Sequence, residues 1–251
     1  MKLLQIAYFV LFLWALVPIC RANVPFTVAT IDWCPYICDI NSDRPGVLVE
    51  IVREVYKNTE FEPEFLVLPW SRAIREVESG KHMALLAPAK SEAPNLLYPK
   101  HPIGTQRFCF FSRQEDNWQY RLPEDIAQRK VVYPVDGLPL ELRYLQSETN
   151  QLQGLSFQDS FEGQTSELLL QGYIDSILIT ESSMLYFQYE HKHQNKIRTS
   201  GCLAEDELYL AFTPSGLHTG EVKLWQDIHD NAAVSPEHQK QVAIILARYG
   251  L

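Results

Sequence analysis

Basic residues are scarce in this sequence, and no stretch of the chain collects them. The 251 residues include 22 Lys and Arg against 31 Asp and Glu, which gives a formal net charge of −9 at pH 7. An acidic chain without a basic stripe repels phosphate backbones and anionic lipid surfaces. The composition therefore argues against nucleic acid and anionic membranes as partners.

Long apolar runs and sequence repeats are also missing beyond the first 22 residues. Residues 1–22 contain Lys2, the apolar run "LLQIAYFVLFLWALVP", and then Cys20 and Ala22 as small residues before a cleavage site. The run is shorter than the roughly 20 residues that a membrane-spanning helix needs. This pattern predicts a secretory signal peptide at 1–22 and a periplasmic protein. A lipoprotein signal at Cys20 is the alternative, although Ile19 before it is bulkier than is usual there.

Four cysteines follow this segment, namely Cys34, Cys38, Cys109 and Cys202. In an oxidising compartment they are expected to form disulfides rather than to bind metal. Three connectivities are possible, and we favour Cys34 with Cys38 and Cys109 with Cys202. A reactive Cys/His site is the alternative, but no His lies in a recognisable partner motif.

Strand and helix patterns alternate along the first third of the chain. Three runs rich in apolar or β-branched residues, "FTVATI", "EFLVL" and "MALLA", are separated by two amphipathic patterns. Ser71 is expected to cap the second helix and Gly80 to end it. Such alternation predicts an α/β fold with a parallel sheet and crossover helices.

The alternation is interrupted and then resumes. "TQRFCFFS" at 105–112 predicts a long extended segment, after which "KVVYPVDGLPLELRYL" and "SELLLQGYIDSILIT" repeat the pattern of strands, turns and helices. "ELYLAF" at 207–212 predicts one more strand, and two amphipathic helices close the chain. We therefore expect two α/β units.

Several short motifs, taken in order, point to one family. They are "W-x-P-Y" after the first strand, "LPWSRAI", "L..GYIDSIL", "ELYLAFTPSG" and the terminal "ILARYGL". In these motifs the chain resembles the periplasmic solute-binding proteins of family 3, over essentially the whole mature chain. The resemblance implies a bilobed type II periplasmic binding protein whose two α/β lobes are joined by a two-segment hinge. Lobe one is expected at 23–111 and 206–251, and lobe two at 112–205.

Candidate ligand-binding residues in lobe one follow its first two strands. Ligands of open α/β sheets bind outside the carboxyl ends of the strands, and in this family that edge faces the interlobe cleft. Trp33 and Tyr36 are expected to contact a ligand there, the alternative being a core Trp and a surface Tyr. Trp70 and Arg72 occupy the equivalent loop. Arg72 offers paired donors to a carboxylate, or else forms a surface pair with Glu76.

Candidate residues in lobe two occupy corresponding places. Asp136 and Gly137 lie between a strand and a helix start, where free backbone amides favour anionic or carbonyl groups. An ordinary turn at Gly137 is the alternative. Thr180 and Glu181 end the strand "YIDSILIT" and are expected at the same cleft.

The chain departs from the family in its expected amino-acid clamp. Such proteins usually carry a Thr and an Arg after the third strand and an Asp near the end of the later lobe-two strand. Here "APAKSEAPNLLYP" contains no Arg, and Thr180 stands where the Asp is expected. The usual clamp is therefore absent or rebuilt.

These observations favour a binding protein without a cofactor or bound metal, expected to be a monomer. The resemblance implies capture of a small polar or amino-acid-like ligand and its delivery to an ABC permease in the inner membrane. A binding protein that signals to a membrane receptor is the first alternative. A dehydratase-like enzyme is the second, with Asp136, Asp159 and Glu181 as the acid or base candidates, but without a paired motif.

Overall fold

A computed structural model of the chain describes residues 23–135, 137–156, 160–191, 195–216 and 219–251. The signal peptide predicted at 1–22 lies outside these residues. The strands are β1 Val24–Thr30, β2 Phe61–Val67, β3 Ala84–Leu86, β4 Gly104–Arg113, β5 Val131–Pro134, β6 Leu152–Leu155, β7 Ser176–Thr180, β8 Ile197–Leu208 and β9 Leu210–Phe212. The α-helices are α1 Val47–Tyr56, α2 Trp70–Glu78, α3 Phe161–Leu170, α4 Glu181–His191, α5 Thr219–Ala233 and α6 Pro236–Arg248, with 3-10 helices at Pro123–Ile126 and Leu140–Ser147.

The first sheet has the strand order β2-β1-β3-β9. Strand β1 runs parallel to β2 and β3, and β9 pairs with β3 in the antiparallel direction. Side chains alternate along β1, so that Phe26 and Val28 join a core formed with α1, α5 and α6, while Ala29 faces α2 on the other side. The stacked rings of Phe26 and Trp225, 4.9 Å apart, show how α5 covers the sheet.

The second sheet has the strand order β6-β5-β7-β4-β8. Strands β5, β6 and β7 are parallel, and β4 is antiparallel to both β7 and β8. Leu169 of α3 and Met184 of α4 pack on one face of this sheet. The two 3-10 helices contribute Ile126 and Leu142 to the core on the opposite face.

Strands β4 and β8 connect the two sheets. They pair from Gly104 beside Leu208 to Arg113 beside Ile197, and β8 is followed almost at once by β9 of the first sheet. Two antiparallel crossings therefore join two α/β lobes, which confirms the predicted architecture. The chain limits given for each lobe stay a prediction.

The Cys109–Cys202 disulfide ties the two crossing strands together, with Cα atoms 4.0 Å apart. The Cys34–Cys38 disulfide closes the loop after β1, with Cα atoms 4.6 Å apart. Both favoured pairings are formed. Disulfides of this kind are typical of proteins in oxidising compartments.

Two local predictions are wrong. Helix α2 begins at Trp70 with Pro69 as its N-cap, and no side chain caps it, because Ser71 already lies inside the first turn. The strand predicted over 207–212 is divided at Tyr209, because the chain passes there from the second sheet into the first. Within the described ranges, no helix is both long and apolar enough to cross a membrane.

Candidate functional site

A cavity of about 720 Å³ lies between the two sheets. Parallel strands of both lobes end at this cavity. Its lining includes two residues that end a strand, Leu86 and Thr180, and three that follow one directly, Ile31, Val135 and Ser156. In a parallel α/β sheet this edge is where backbone groups and loop side chains remain available to a ligand. The cavity is therefore the candidate binding cleft.

Aromatic side chains contribute much of the apolar surface of the cleft. Trp33 follows β1, Trp70 begins α2, Phe108 belongs to β4 and Phe161 begins α3. These four side chains come from both lobes, so a bound molecule meets aromatic surface on two sides. Aromatic rings favour planar or apolar ligand groups, which stack on them or bury surface against them.

The charged groups that line the cleft are all acidic among the described residues. They are the carboxylates of Asp32, Asp39, Glu92 and Glu162. The described part of the lining contains no Lys, Arg or His. Gln106 adds an amide from β4, and it is buried.

Three of these carboxyl groups have a pKa above the ordinary value. Burial raises the pKa of Glu162, hydrogen bonds from its own N–H and from Ser160 oppose the rise, and the Asp32 carboxylate adds to it. Burial raises the pKa of Glu92, although the backbone N–H of Ala89 donates to it at 2.9 Å. Partial burial and then the charge of Asp39 raise the pKa of Asp32.

Residues 33–38, which we call the aromatic loop, are held by the start of α1. The backbone N–H groups of Val47 and Leu48 donate to the carbonyl oxygens of Pro35 and Tyr36, each at 2.9 Å. These contacts replace the side-chain cap that α1 lacks. Gly46 has φ 108°, and a Cβ there would lie 2.5 Å from the Tyr36 carbonyl oxygen, so the close approach requires glycine.

The aromatic loop also contacts the second lobe directly. The indole N–H of Trp33 donates to Thr180 Oγ1 at 3.3 Å, and Ser183 Oγ donates to the Cys34 carbonyl oxygen at 2.8 Å. The Tyr36 hydroxyl lies 3.0 Å from Ser182 Oγ. These contacts, which we call the interlobe contact, join the loop after β1 to the start of α4.

The fold is similar to that of several solved structures. No protein-family model and no curated protein matches the chain. Among solved structures, a histidine kinase sensor domain with similarity to periplasmic binding proteins superposes with a TM-score of 0.69 at 18% identity, covering 90% of this chain and 96% of that one. An ancestral arginine-binding protein bound to arginine gives 0.68 at 12% identity, covering 90% and 97%. The GluR0 ligand-binding core in complex with L-glutamate gives 0.69 at 10% identity, covering 90% and 98%.

The chain has the bilobed type II periplasmic binding protein fold. This agrees with the two sheets, the paired crossing strands and the cleft between the lobes. Identities of 10% to 18% show the fold and leave the ligand to be argued from the cleft itself.

Four of the eight predicted ligand-binding residues line this cleft. They are Trp33, Trp70, Gly137 and Thr180. Thr180 Oγ1 also donates to Ser183 Oγ at 2.9 Å, so its hydroxyl is engaged in the interlobe contact. The ligand role of these four residues stays a prediction.

The other four predicted residues are placed differently. Tyr36 is only 5% exposed and lies outside the described lining, where its hydroxyl contacts the second lobe. Arg72 is exposed, and its Nε donates to Glu76 at 2.8 Å, which is the surface pair given above as the alternative. Glu181 accepts from Arg107 Nε at 3.0 Å. Asp136 lies outside the described residues, as does Asp159.

The acidic lining is the feature that the sequence interpretation missed. Asp32 directly precedes Trp33, and Glu162 lies in the first turn of α3. Glu92 belongs to "APAKSEAP", the segment in which the resemblance predicts an arginine. Position beside a strand end was a usable signal for Asp32, but nothing local placed the three carboxylates in one cleft.

The described residues contain one geometric grouping of possible metal ligands, Cys109, Glu181 and Cys202. Its two cysteines form the disulfide between β4 and β8. Since a disulfide sulfur lacks the thiolate that binds metal, this grouping is a covalent link between strands and has one remaining carboxylate.

Proposed function

We propose that this protein binds a small organic molecule in the cleft between its lobes, as a periplasmic binding protein without catalytic activity. The observation that carries the proposal is the cavity of about 720 Å³ at the strand ends of both sheets. Ligand pockets are typically about 300 to 1,000 Å³, mostly apolar, with a few polar groups that orient the ligand. The cleft has this character, with four aromatic side chains, Gln106 and several carboxylates.

Lobe closure is the conformational step of the proposed cycle. Two-lobed proteins with a pair of connecting strands close around ligands by a hinge motion. The crossing strands β4 and β8 are suited to such a hinge, and the hydrogen bonds of the interlobe contact join the two lobes. A ligand that touches both lobes stabilises this arrangement by its differential affinity for it.

Delivery of the ligand to an ABC permease in the inner membrane is the first use that we propose for the bound form, with the protein acting as a periplasmic monomer. Signalling to a membrane receptor is the second. The similarity to a histidine kinase sensor domain favours keeping the second use. Deletion of the gene distinguishes them, because a transport protein is needed for uptake of the ligand, whereas a sensor is needed for a response to it.

Binding itself is tested by native mass spectrometry on protein purified without refolding, followed by calorimetry with the recovered molecule. We expect a bound small molecule whose affinity falls in the Trp70→Ala variant. Tyr173→Ala is the matched control, because Tyr173 is an exposed aromatic residue outside the described lining. An equal loss of affinity in both variants contradicts the proposed function. So does a protein that retains no small molecule and is stabilised by none.

A further inference from the structure

The charge of the cleft restricts the class of ligand, given the binding function proposed above. Asp32, Asp39 and Glu92 enter the lining from lobe one, and Glu162 enters it from lobe two. A ligand carboxylate finds no basic side chain among the described lining residues. An anionic ligand would therefore be desolvated against like charges, which is unfavourable.

Asp32 and Glu162 line the cleft from different lobes. Asp32 follows β1 of the first sheet, whereas Glu162 belongs to the first turn of α3 on the second. The charge of Asp32 also contributes to the raised pKa of Glu162, after burial of that carboxyl group. Because both carboxylates are negative when ionised, a proton or a cation near them is electrostatically favourable.

Three described basic side chains near lining residues have other partners. Arg107 pairs with Glu181, and Lys90 Nζ lies 4.3 Å from the centroid of the Tyr209 ring. The charge of Arg143 opposes the rise in the pKa of Glu92, but Arg143 is exposed and outside the described lining. None of these three residues therefore supplies a positive charge between Asp32 and Glu162.

The aromatic lining favours an organic cation over a metal ion. Among the described residues, no three of the cleft carboxylates bring oxygen atoms within 4.8 Å of one another. Trp33, Trp70 and Phe161 instead contribute aromatic side chains to the lining. Ammonium and guanidinium groups bind both carboxylates and aromatic faces, while a hydrated metal ion gains little from the rings.

We propose that the cleft binds a small organic cation, a protonated amine or guanidinium joined to a planar or apolar body, with its positive group at Asp32 and Glu162. The cation offsets the repulsion between the two carboxylates and thereby favours closure. Because a carboxylate on the ligand has no basic partner in the described lining, the ligand class is organic cations that lack a carboxylate, rather than α-amino acids.

The test uses three matched probes in calorimetry with the purified protein: phenethylamine, phenylpropanoate and phenethyl alcohol. They share a phenyl group and differ in charge. We expect the amine to bind at least about tenfold more tightly than either analogue. Asp32→Asn and Glu162→Gln are each expected to weaken amine binding about tenfold to a hundredfold, the effect of a lost charged hydrogen bond.

Glu237→Gln is the matched control, because Glu237 is an exposed acid in the first turn of α6, outside the described lining. Its amine affinity should equal that of the unmodified protein. Thermal unfolding of each variant shows whether a weaker affinity reflects loss of the fold. Calcium chloride serves as a further probe. Calcium binding without amine binding overturns the proposal that the ligand is an organic cation.

The outcomes separate this inference from the function on which it rests. Tighter binding of the carboxylate or the alcohol, or an anionic or zwitterionic molecule in the native mass spectrum, overturns the cationic ligand and leaves the binding function intact. A cationic molecule in that spectrum supports both. If no probe binds and no molecule is retained, both proposals fail.

Discussion

The indole nitrogen of Trp33 lies 3.3 Å from the hydroxyl oxygen of Thr180, and this hydrogen bond joins the loop after β1 to the end of β7 in the other lobe. Both residues also line the cleft. A ligand that contacts Trp33 therefore touches a group that itself holds the lobes together. We therefore expect ligand binding and lobe closure to be linked at this position.

The interlobe contact is tested by Ser183→Ala. Ser183 Oγ donates to the Cys34 carbonyl oxygen at 2.8 Å and accepts from Thr180. We expect the change to lower the stability of the closed arrangement by about 1 to 3 kcal/mol, because a partly buried carbonyl loses its donor. Small-angle scattering should show a larger radius of gyration for the ligand-free variant.

Ser147→Ala is the control for that experiment, since the exposed Ser147 hydroxyl donates to the Tyr144 carbonyl oxygen at 2.9 Å within lobe two. Its scattering curve should match that of the unmodified protein. An unchanged radius of gyration in Ser183→Ala, with normal ligand affinity, would show that this hydrogen bond does not hold the lobes.

The two disulfides should differ in their contribution to stability. Cys109 and Cys202 are 93 residues apart in sequence, and Cys34 and Cys38 only 4. On a loop-entropy argument, replacing the first pair by alanine costs about 4 to 5 kcal/mol and replacing the second about 2 kcal/mol. Denaturant unfolding of the two double variants measures the difference. Equal losses, or a larger loss for the short loop, would contradict this prediction.

Arg72→Ala distinguishes the two roles considered for this arginine. Its guanidinium pairs with Glu76 at helical i,i+4 spacing, and its side chain is 52% exposed. From this geometry we expect unchanged ligand affinity and a loss of stability below about 1 kcal/mol. Calorimetry with the recovered ligand is the measurement. An affinity loss of about 1.5 to 3 kcal/mol would instead establish a direct contact with the ligand.

The cleft carboxylates predict opposite pH trends for stability and for cation binding. The pKa values of Asp32 and Glu162 are raised above their ordinary values of 3.8 and 4.5, so the folded state holds these protons more tightly than the unfolded state. Their contribution to stability is therefore complete below the ordinary values and is lost as pH rises through the folded pKa values. Binding of a cation needs the ionised groups, so amine affinity should fall over the same window as pH is lowered.

Calorimetry and thermal unfolding measure the two trends across about pH 4 to 7, a range that covers the ordinary and raised pKa values of carboxyl groups. In the Asp32→Asn, Glu162→Gln double variant both trends should flatten, leaving the contribution of Glu92. Amine affinity that rises as pH is lowered would contradict the assignment of these carboxylates.

Much of the architecture could be predicted because its signals are local. The alternation of strand and helix patterns determined two α/β units, and the long extended run at 105–112 marked the first crossing between them. Trp33 and Trp70 were found because each follows a strand end, where a parallel sheet places its ligands. Side-chain periodicity and position relative to a strand are properties of a short stretch of chain.

Tertiary structure decided the contacts between distant segments. Tyr36 is buried against Ser182, and Arg72 turns to Glu76 rather than to the cleft. Asp32 and Glu162 line the same cleft because two separate sheets are held by one pair of crossing strands. The sequence by itself determined which residues follow each strand, but it carries no local signal for which side chains oppose each other, since that depends on how the lobes are oriented about the hinge.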